Sequence, residues 1–144
     1  MKLSTKGRYG VTAMYDLALH YGKGYVSLKS IAERQMLSET YLEQLIAQLR
    51  KAGLVKSSRG SRGGYSLSKD PSNIRVGDII RVLEGPIAPV ECVSELENQE
   101  SCIKMDQCIT RDIWIQLKES MESVLDSFTL ADLCDFESHE QELS

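Results

Sequence analysis

The chain has 144 residues, 42% of them apolar, which is enough to bury one core with an appendage and too little for two independent cores. No apolar stretch approaches membrane-spanning length, and the opening MKLSTKGRYG lacks the apolar centre of a signal peptide, so a cytoplasmic protein is expected. The net charge of −4 weighs against a nucleic-acid partner only until it is divided: residues 1–80 hold 13 Lys and Arg against 6 Asp and Glu, and residues 81–144 hold 4 against 15. From about Glu137 onward the acidity reads as a solvated tail.

Ser4 or Thr5 can cap a first helix whose apolar residues Val11, Met14, Ala18 and Tyr21 recur at three- and four-residue steps, and Gly22 and Gly24 end it. Ser27 can cap a short second helix with Leu28, Ile31 and Ala32 inward. After a turn at Met36 and Leu37, Ser38 can cap a third helix running to Gly53. Its inner face is Leu42, Leu45, Ile46 and Leu49, and Glu39, Thr40, Glu43, Gln44 and Gln48 point away. Two short helices joined by a tight turn have the dimensions of a helix-turn-helix. Leu54 to Ser57 and Tyr65 to Leu67 then read as paired strands, with Arg59 to Gly64 as the loop between them. That loop joins two strands rather than a strand and a helix, which favours a wing over a phosphate-binding loop.

Val76 to Leu83 should form one more short helix, and Gly85, Pro86 and Pro89 interrupt the chain. Residues 84–109 are loop-like and long enough to imply a function. Thr110 is placed to cap a long helix reaching about Ser127. Along it Trp114, Leu117, Met121, Val124 and Phe128 keep the seam spacing of paired helices, which points to a homodimer on a palindromic operator. The expected fold is mainly α with a small β-wing. It comprises a winged helix-turn-helix over 1–83, a sensor loop over 84–109, a dimerisation helix with a short C-terminal helix over 110–136, and an acidic tail over 137–144.

On this reading double-stranded DNA is the partner. Thr40, Glu43 and Gln44 face a major groove, Ser38 and Tyr41 meet phosphates, and Arg50 joins the set. Arg59, beside Gly60, suits a minor groove, and Arg62 a phosphate. An enzyme is not expected, because the only histidines, His20 and His139, have no catalytic motif beside them.

Several linked segments, MKLSTKGRYGVTAMYDLA, SLKSIAERQ, YLEQLIAQLRKAGLVKSSRG, GGYSL and VGDIIRVLEGP, together resemble the Rrf-two family of bacterial winged-helix regulators over roughly residues 1–134. Within that family the chain looks most like the IscR-type iron–sulfur cluster regulators. The resemblance implies a homodimer joined by its long helices, each subunit presenting a recognition helix and a wing to DNA. It also implies that Met36 occupies a turn position where relatives usually carry glycine.

Four cysteines in a reducing compartment point to metal or redox chemistry before structural disulfides. The resemblance implies a 2Fe-2S cluster held by Cys92, Cys102 and Cys108 and controlling iron–sulfur cluster biogenesis genes. Nine residues separate the first two cysteines, more than the familiar spacing, and five separate the second pair, which fits it. Where IscR-type proteins place a fourth ligand, a histidine, this chain has Arg111, which offers no lone pair. Arg8 stands where some relatives use an acidic residue, and Asp106, Thr110, Asp112 or an external ligand stay open. A structural zinc site is disfavoured without a CxxC pair. VLEGPIAPVE also resembles regulators of cysteine metabolism in the same family, so the alternative is a cluster-free regulator using thiol redox or a protein co-repressor. Cys134, in an apolar run, reads as packing.

Overall fold

Three serines begin the first three helices. Ser4 Oγ accepts from the Lys6 amide at 3.2 Å, Ser27 Oγ from the Ser30 amide at 3.1 Å, and Ser38 Oγ from the Tyr41 amide at 3.3 Å. Each relieves an amide that a helix start leaves without a partner. The structure, a computed structural model, describes residues 4–88 and 109–143. Its elements are α1 (Thr5–Leu19), α2 (Leu28–Gln35), α3 (Glu39–Lys51), β1 (Val55–Ser58), β2 (Gly64–Leu67), a 3-10 turn (Pro71–Asn73), α4 (Val76–Glu84), α5 (Arg111–Ser127) and α6 (Leu130–Leu143). This is the mainly helical architecture with one small antiparallel sheet that the pattern anticipated. Among the described residues no helix is long and apolar enough to cross a membrane.

The core lies between α1, α3 and α4. Met14 and Leu17 of α1, Leu42, Leu45, Ile46 and Leu49 of α3, and Ile79 and Leu83 of α4 are buried together with Ile31 of α2 and Leu67 of β2. Close approach of α1 and α4 depends on Gly10, where a Cβ would lie 2.0 Å from the Leu83 side chain. Tyr21 departs from the expected inner face. α1 stops at Leu19, so the chain has already turned at Tyr21 and leaves its ring exposed.

α2 is held to α1 by a contact that periodicity did not reveal. Asp16 is only 1% exposed, and its two carboxylate oxygens accept from Arg34 Nε at 3.0 Å, Arg34 Nη2 at 2.8 Å and Gln35 Nε2 at 2.9 Å. A buried carboxylate is tolerable only with such donors. His20 reaches the same residue, its Nδ1 lying 2.8 Å from the Asp16 carbonyl oxygen.

α5 and α6 complete the described chain. Thr110 precedes α5 without a side-chain capping bond, contrary to expectation; its Oγ1 accepts from the Trp114 indole at 3.1 Å. No residue of α5 is buried. At its far end the Val76 amide donates to Phe128 O at 2.9 Å and the Leu130 amide to Ile74 O at 3.0 Å. α6 continues to Leu143, through the residues read as an acidic tail. Cys134 is half-buried and packs against the core, as its apolar neighbours suggested.

Candidate nucleic-acid interface

Met36 ends α2 in the left-handed region at φ 57° and ψ 44°, and the Leu37 amide donates back to Ala32 O at 3.0 Å. The tight reversal aims α3 away from α2, and Met36 itself is 91% exposed. With Leu42, Leu45, Ile46 and Leu49 inward, Thr40, Glu43 and Gln44 stand together on the solvent side of α3. Ser38 is exposed while its hydroxyl caps the helix. Tyr41 is half-buried, its ring edge-on to Tyr9 of α1 with centroids 6.0 Å apart.

The exit from α3 fixes the wing. Gly53, at φ 87°, lets its amide return to Arg50 O at 3.0 Å and the Leu54 amide to Leu49 O at 3.0 Å, the paired bonds of a glycine-terminated helix. Leu54 and Val55 thereby enter the core, and β1 starts at a fixed angle to α3. Arg50 Nη1 donates to Ser57 Oγ at 3.3 Å, linking the end of α3 to the base of the wing.

β1 and β2 pair with Val55 opposite Leu67 and Ser58 opposite Gly64. The Val26 and Tyr65 amides exchange bonds with each other's carbonyls at 2.8 Å, so the segment before α2 extends the sheet. Gly64 allows this: at φ 149° its missing Cβ would lie 2.3 Å from Val26 O. Gly63 is equally confined, with a hypothetical Cβ 2.3 Å from Ser58 O. These steric demands explain the glycine-rich loop. Arg59, Gly60 and Arg62 are exposed at its tip, and Lys56 on β1 lies 6.0 Å from the Tyr25 ring centroid. An exposed polar helix face, an exposed basic loop and a shared anchor at Arg50 therefore belong to one unit.

Cys92, Cys102 and Cys108 lie outside the described residues, as does Asp106. Among the described residues no three His, Cys, Asp or Glu are grouped to hold a metal ion. Of the other fourth-ligand candidates, Asp112 is exposed on the first turn of α5 and Thr110 accepts from Trp114. Arg111 begins α5, and its Nε is buried without a hydrogen-bond partner. A guanidinium is an always-charged donor. Residue 111 therefore has no lone pair to offer a metal ion.

Comparison with known proteins agrees with this architecture. The Rrf2 family, described as iron-dependent transcriptional regulators, matches residues 3–136. The chain is 54% identical over 142 residues to the HTH-type transcriptional regulator CymR of Bacillus subtilis (strain 168), covering 99% of this chain and 96% of that protein. The solved structure of CymR, the global cysteine regulator of B. subtilis, superposes with a TM-score of 0.78 at 53% identity, over 94% of this chain and 98% of that one. That of T. potens IscR gives a TM-score of 0.79 at 55% identity, over 98% and 91%. IscR of Yersinia enterocolitica serotype O:8 is 47% identical over 133 residues, covering 92% of this chain and 79% of that protein. With its helix-turn-helix, its glycine-built wing and a match along nearly its whole length, the chain belongs to the Rrf2 family of transcriptional regulators.

Proposed function

We propose that the protein is a homodimeric, sequence-specific DNA-binding regulator in which residues 1–83 grip a palindromic operator and residues 110–136 join the subunits. The carrying observation is that α3 turns Thr40, Glu43 and Gln44 outward beside a basic wing on the same rigid unit. Gln44 can bond adenine through two atoms and Glu43 can accept from cytosine. Ser38, Tyr41 and Arg50 meet phosphates at the edge of the groove. Arg59, on the loop that Gly60 lets turn at φ 105°, enters the neighbouring minor groove. The dimer reading rests on α5, whose Leu117 and Val124 are 42% and 57% exposed in the single chain at the spacing of a helical seam. Leu117→Glu should leave the far-ultraviolet dichroism unchanged and convert the dimer to monomer in sedimentation. A dimer that survived would remove α5 from the interface.

The signal enters through residues 84–109, which connect α4 to α5. In the first reading Cys92, Cys102 and Cys108 hold a 2Fe-2S cluster, as the likeness to IscR proteins suggests, and iron–sulfur cluster biogenesis genes are the target. A bound cluster supplies iron–thiolate bonds sensitive to redox state and iron supply. The protein's part is to supply three thiolates from the segment that connects α4 to α5.

The second reading is a cluster-free regulator of cysteine or sulfur metabolism, acting through thiol redox or a protein co-repressor. It is favoured by Arg111 and by 54% identity to CymR. Purification without oxygen, reconstitution with iron and sulfide, and assay of both elements separate the two. The first reading requires visible absorbance that Cys92→Ala, Cys102→Ala or Cys108→Ala each abolishes and Cys134→Ala keeps. Protein still iron-free after reconstitution decides for the second.

A further inference from the structure

One end of α5 is fixed to the DNA-binding unit at several points within a few residues. Arg81 of α4 donates from Nη1 to Asp126 Oδ1 and from Nη2 to Asp126 Oδ2, both at 2.8 Å, and Nη2 also reaches Glu122 Oε2 at 3.5 Å. The backbone bonds from Val76 to Phe128 and from Leu130 to Ile74 lie just beyond, and Leu130 is fully buried. The other end, at Ile109 and Ile113, is exposed. A planar guanidinium matched to both oxygens of a carboxylate fixes an angle as well as a distance.

Gly77 admits this pair. A Cβ on Gly77 would lie 1.9 Å from Asp126 Oδ1 and 2.9 Å from Arg81 Nη1. The obstructing atoms are the ends of flexible side chains, so an alanine there would displace the carboxylate without disturbing the backbone. With a rise of about 1.5 Å per residue, a helix the length of α5 is a lever of roughly 25 Å. A small rotation at this junction becomes a large displacement of whatever it carries.

We propose that Arg81 and Asp126, brought together over Gly77, are positioning residues that set the separation of the two recognition helices and hence the half-site spacing the protein accepts. The proposal rests on the reading of the chain as a dimer joined through α5. In that dimer each α3 is held rigidly within its own unit, and the unit meets the shared helices at this junction. Opening the pair leaves α3, the wing and the backbone bonds to Phe128 and Leu130 in place and loosens the angle between the unit and α5. Half-site spacing is a geometric requirement of such dimers, so a looser junction accepts more spacings.

Duplexes selected by the wild type from random sequence provide the operator, and its half-sites are then moved apart or together by one and two base pairs. Affinities for this series are measured for wild type, Arg81→Ala and Gly77→Ala. Sedimentation and thermal melting are recorded alongside. The wild type should discriminate between spacings by roughly tenfold or more, and both variants, still dimeric, should retain about two- to threefold, a loss within the usual range of coupling between elements. Should Arg81→Ala fail to fold, Gly77→Ala, which introduces a better helix former, carries the test. Dimeric variants that keep the wild-type spacing preference, even with weaker affinity throughout, overturn the proposal alone. A wild type that is monomeric or selects no duplex overturns the dimeric DNA-binding reading and the proposal with it.

Discussion

The unit built from α1 to α4 and the long helix α5 are both amphipathic, yet they treat their apolar faces differently. Each of α1 to α4 turns side chains into a common core, whereas α5 buries none. In the first case an apolar stripe reports the chain's own packing. In the second it reports a surface that the described residues leave partly open, while the polar side makes contacts, through Arg81 to Asp126 and Glu122. The same periodicity thus has two meanings, and the difference between them follows the proposed division between a DNA-gripping unit and a pairing helix.

The two regions should differ most at their leucines. Leu45→Ala, at a position 1% exposed, should destabilise the fold by about 2–5 kcal/mol through lost burial and the cavity left behind. Leu117→Ala should cost the isolated subunit far less. Urea denaturation of the two variants tests this, and an equal loss of stability would mean that α5 is part of the core after all.

A second effect concerns the outer face of the packed unit. Glu43→Ala should relax operator specificity more than it lowers affinity, since it also removes a negative charge near phosphate. The discrimination lost at one base pair should be about 1–3 kcal/mol. Arg59→Ala should lower affinity and shallow the dependence of log K on log salt by about one unit if one phosphate-like contact disappears. Binding titrations over a series of operator variants and salt concentrations measure both. An unchanged preference for Glu43→Ala would remove that residue from base reading.

A smaller change is expected at the turn between α2 and α3. Methionine at φ 57° carries a Cβ in a region that L-residues adopt at a cost, partly offset by the backbone entropy glycine would lose. Met36→Gly should therefore raise stability by roughly 0.5–1 kcal/mol, the usual scale of such backbone exchanges. Differential scanning calorimetry would show a higher melting temperature, and a fall would mean that the Met36 side chain has a stabilising contact outweighing the strain.

The junction between the two regions gives the smallest effect. The hydrogen bonds from Arg81, with its charge, hold the Asp126 carboxyl below its usual range, against the opposing effect of burial. A depressed folded-state pKa stabilises above the unfolded value, near 4, and that contribution is lost as pH falls through the lower folded value. Glu122, Lys118, Asp78 and Arg75 lie in the same charged group. The melting temperatures of wild type and Asp126→Asn should differ at pH 6 and converge as the pH falls well below about 4. A gap that persisted in acid would mean that Asp126 contributes through packing and not through charge.

Helix starts at Ser4, Ser27 and Ser38, the inner face of α3 and the strands of the wing were legible in the sequence, because caps, periodicity and glycine placement are local properties of a few neighbouring residues; the special turn at Met36 was signalled only by the family resemblance. The candidate DNA face was legible for the same reason: a helix with one apolar side leaves the identity of its other side in plain view. Asp16 with Arg34, the bridge from Val26 to Tyr65, and Arg81 with Asp126 over Gly77 were not. Their partners lie 18, 39 and 45 residues apart, and a charged residue on a helix reads as a solvated one until another element arrives against it. Tyr21 was misplaced because a helix end is decided by the turn that follows; Thr110 stands at the N-cap of α5 as expected, but its hydroxyl is taken by the Trp114 indole and makes no capping bond. The sequence by itself determined the local elements and the chemistry they display. Only the tertiary structure decided which charges are paired and that the described residues leave Leu117 and Val124 of α5 exposed, because those depend on long-range packing that no local pattern encodes.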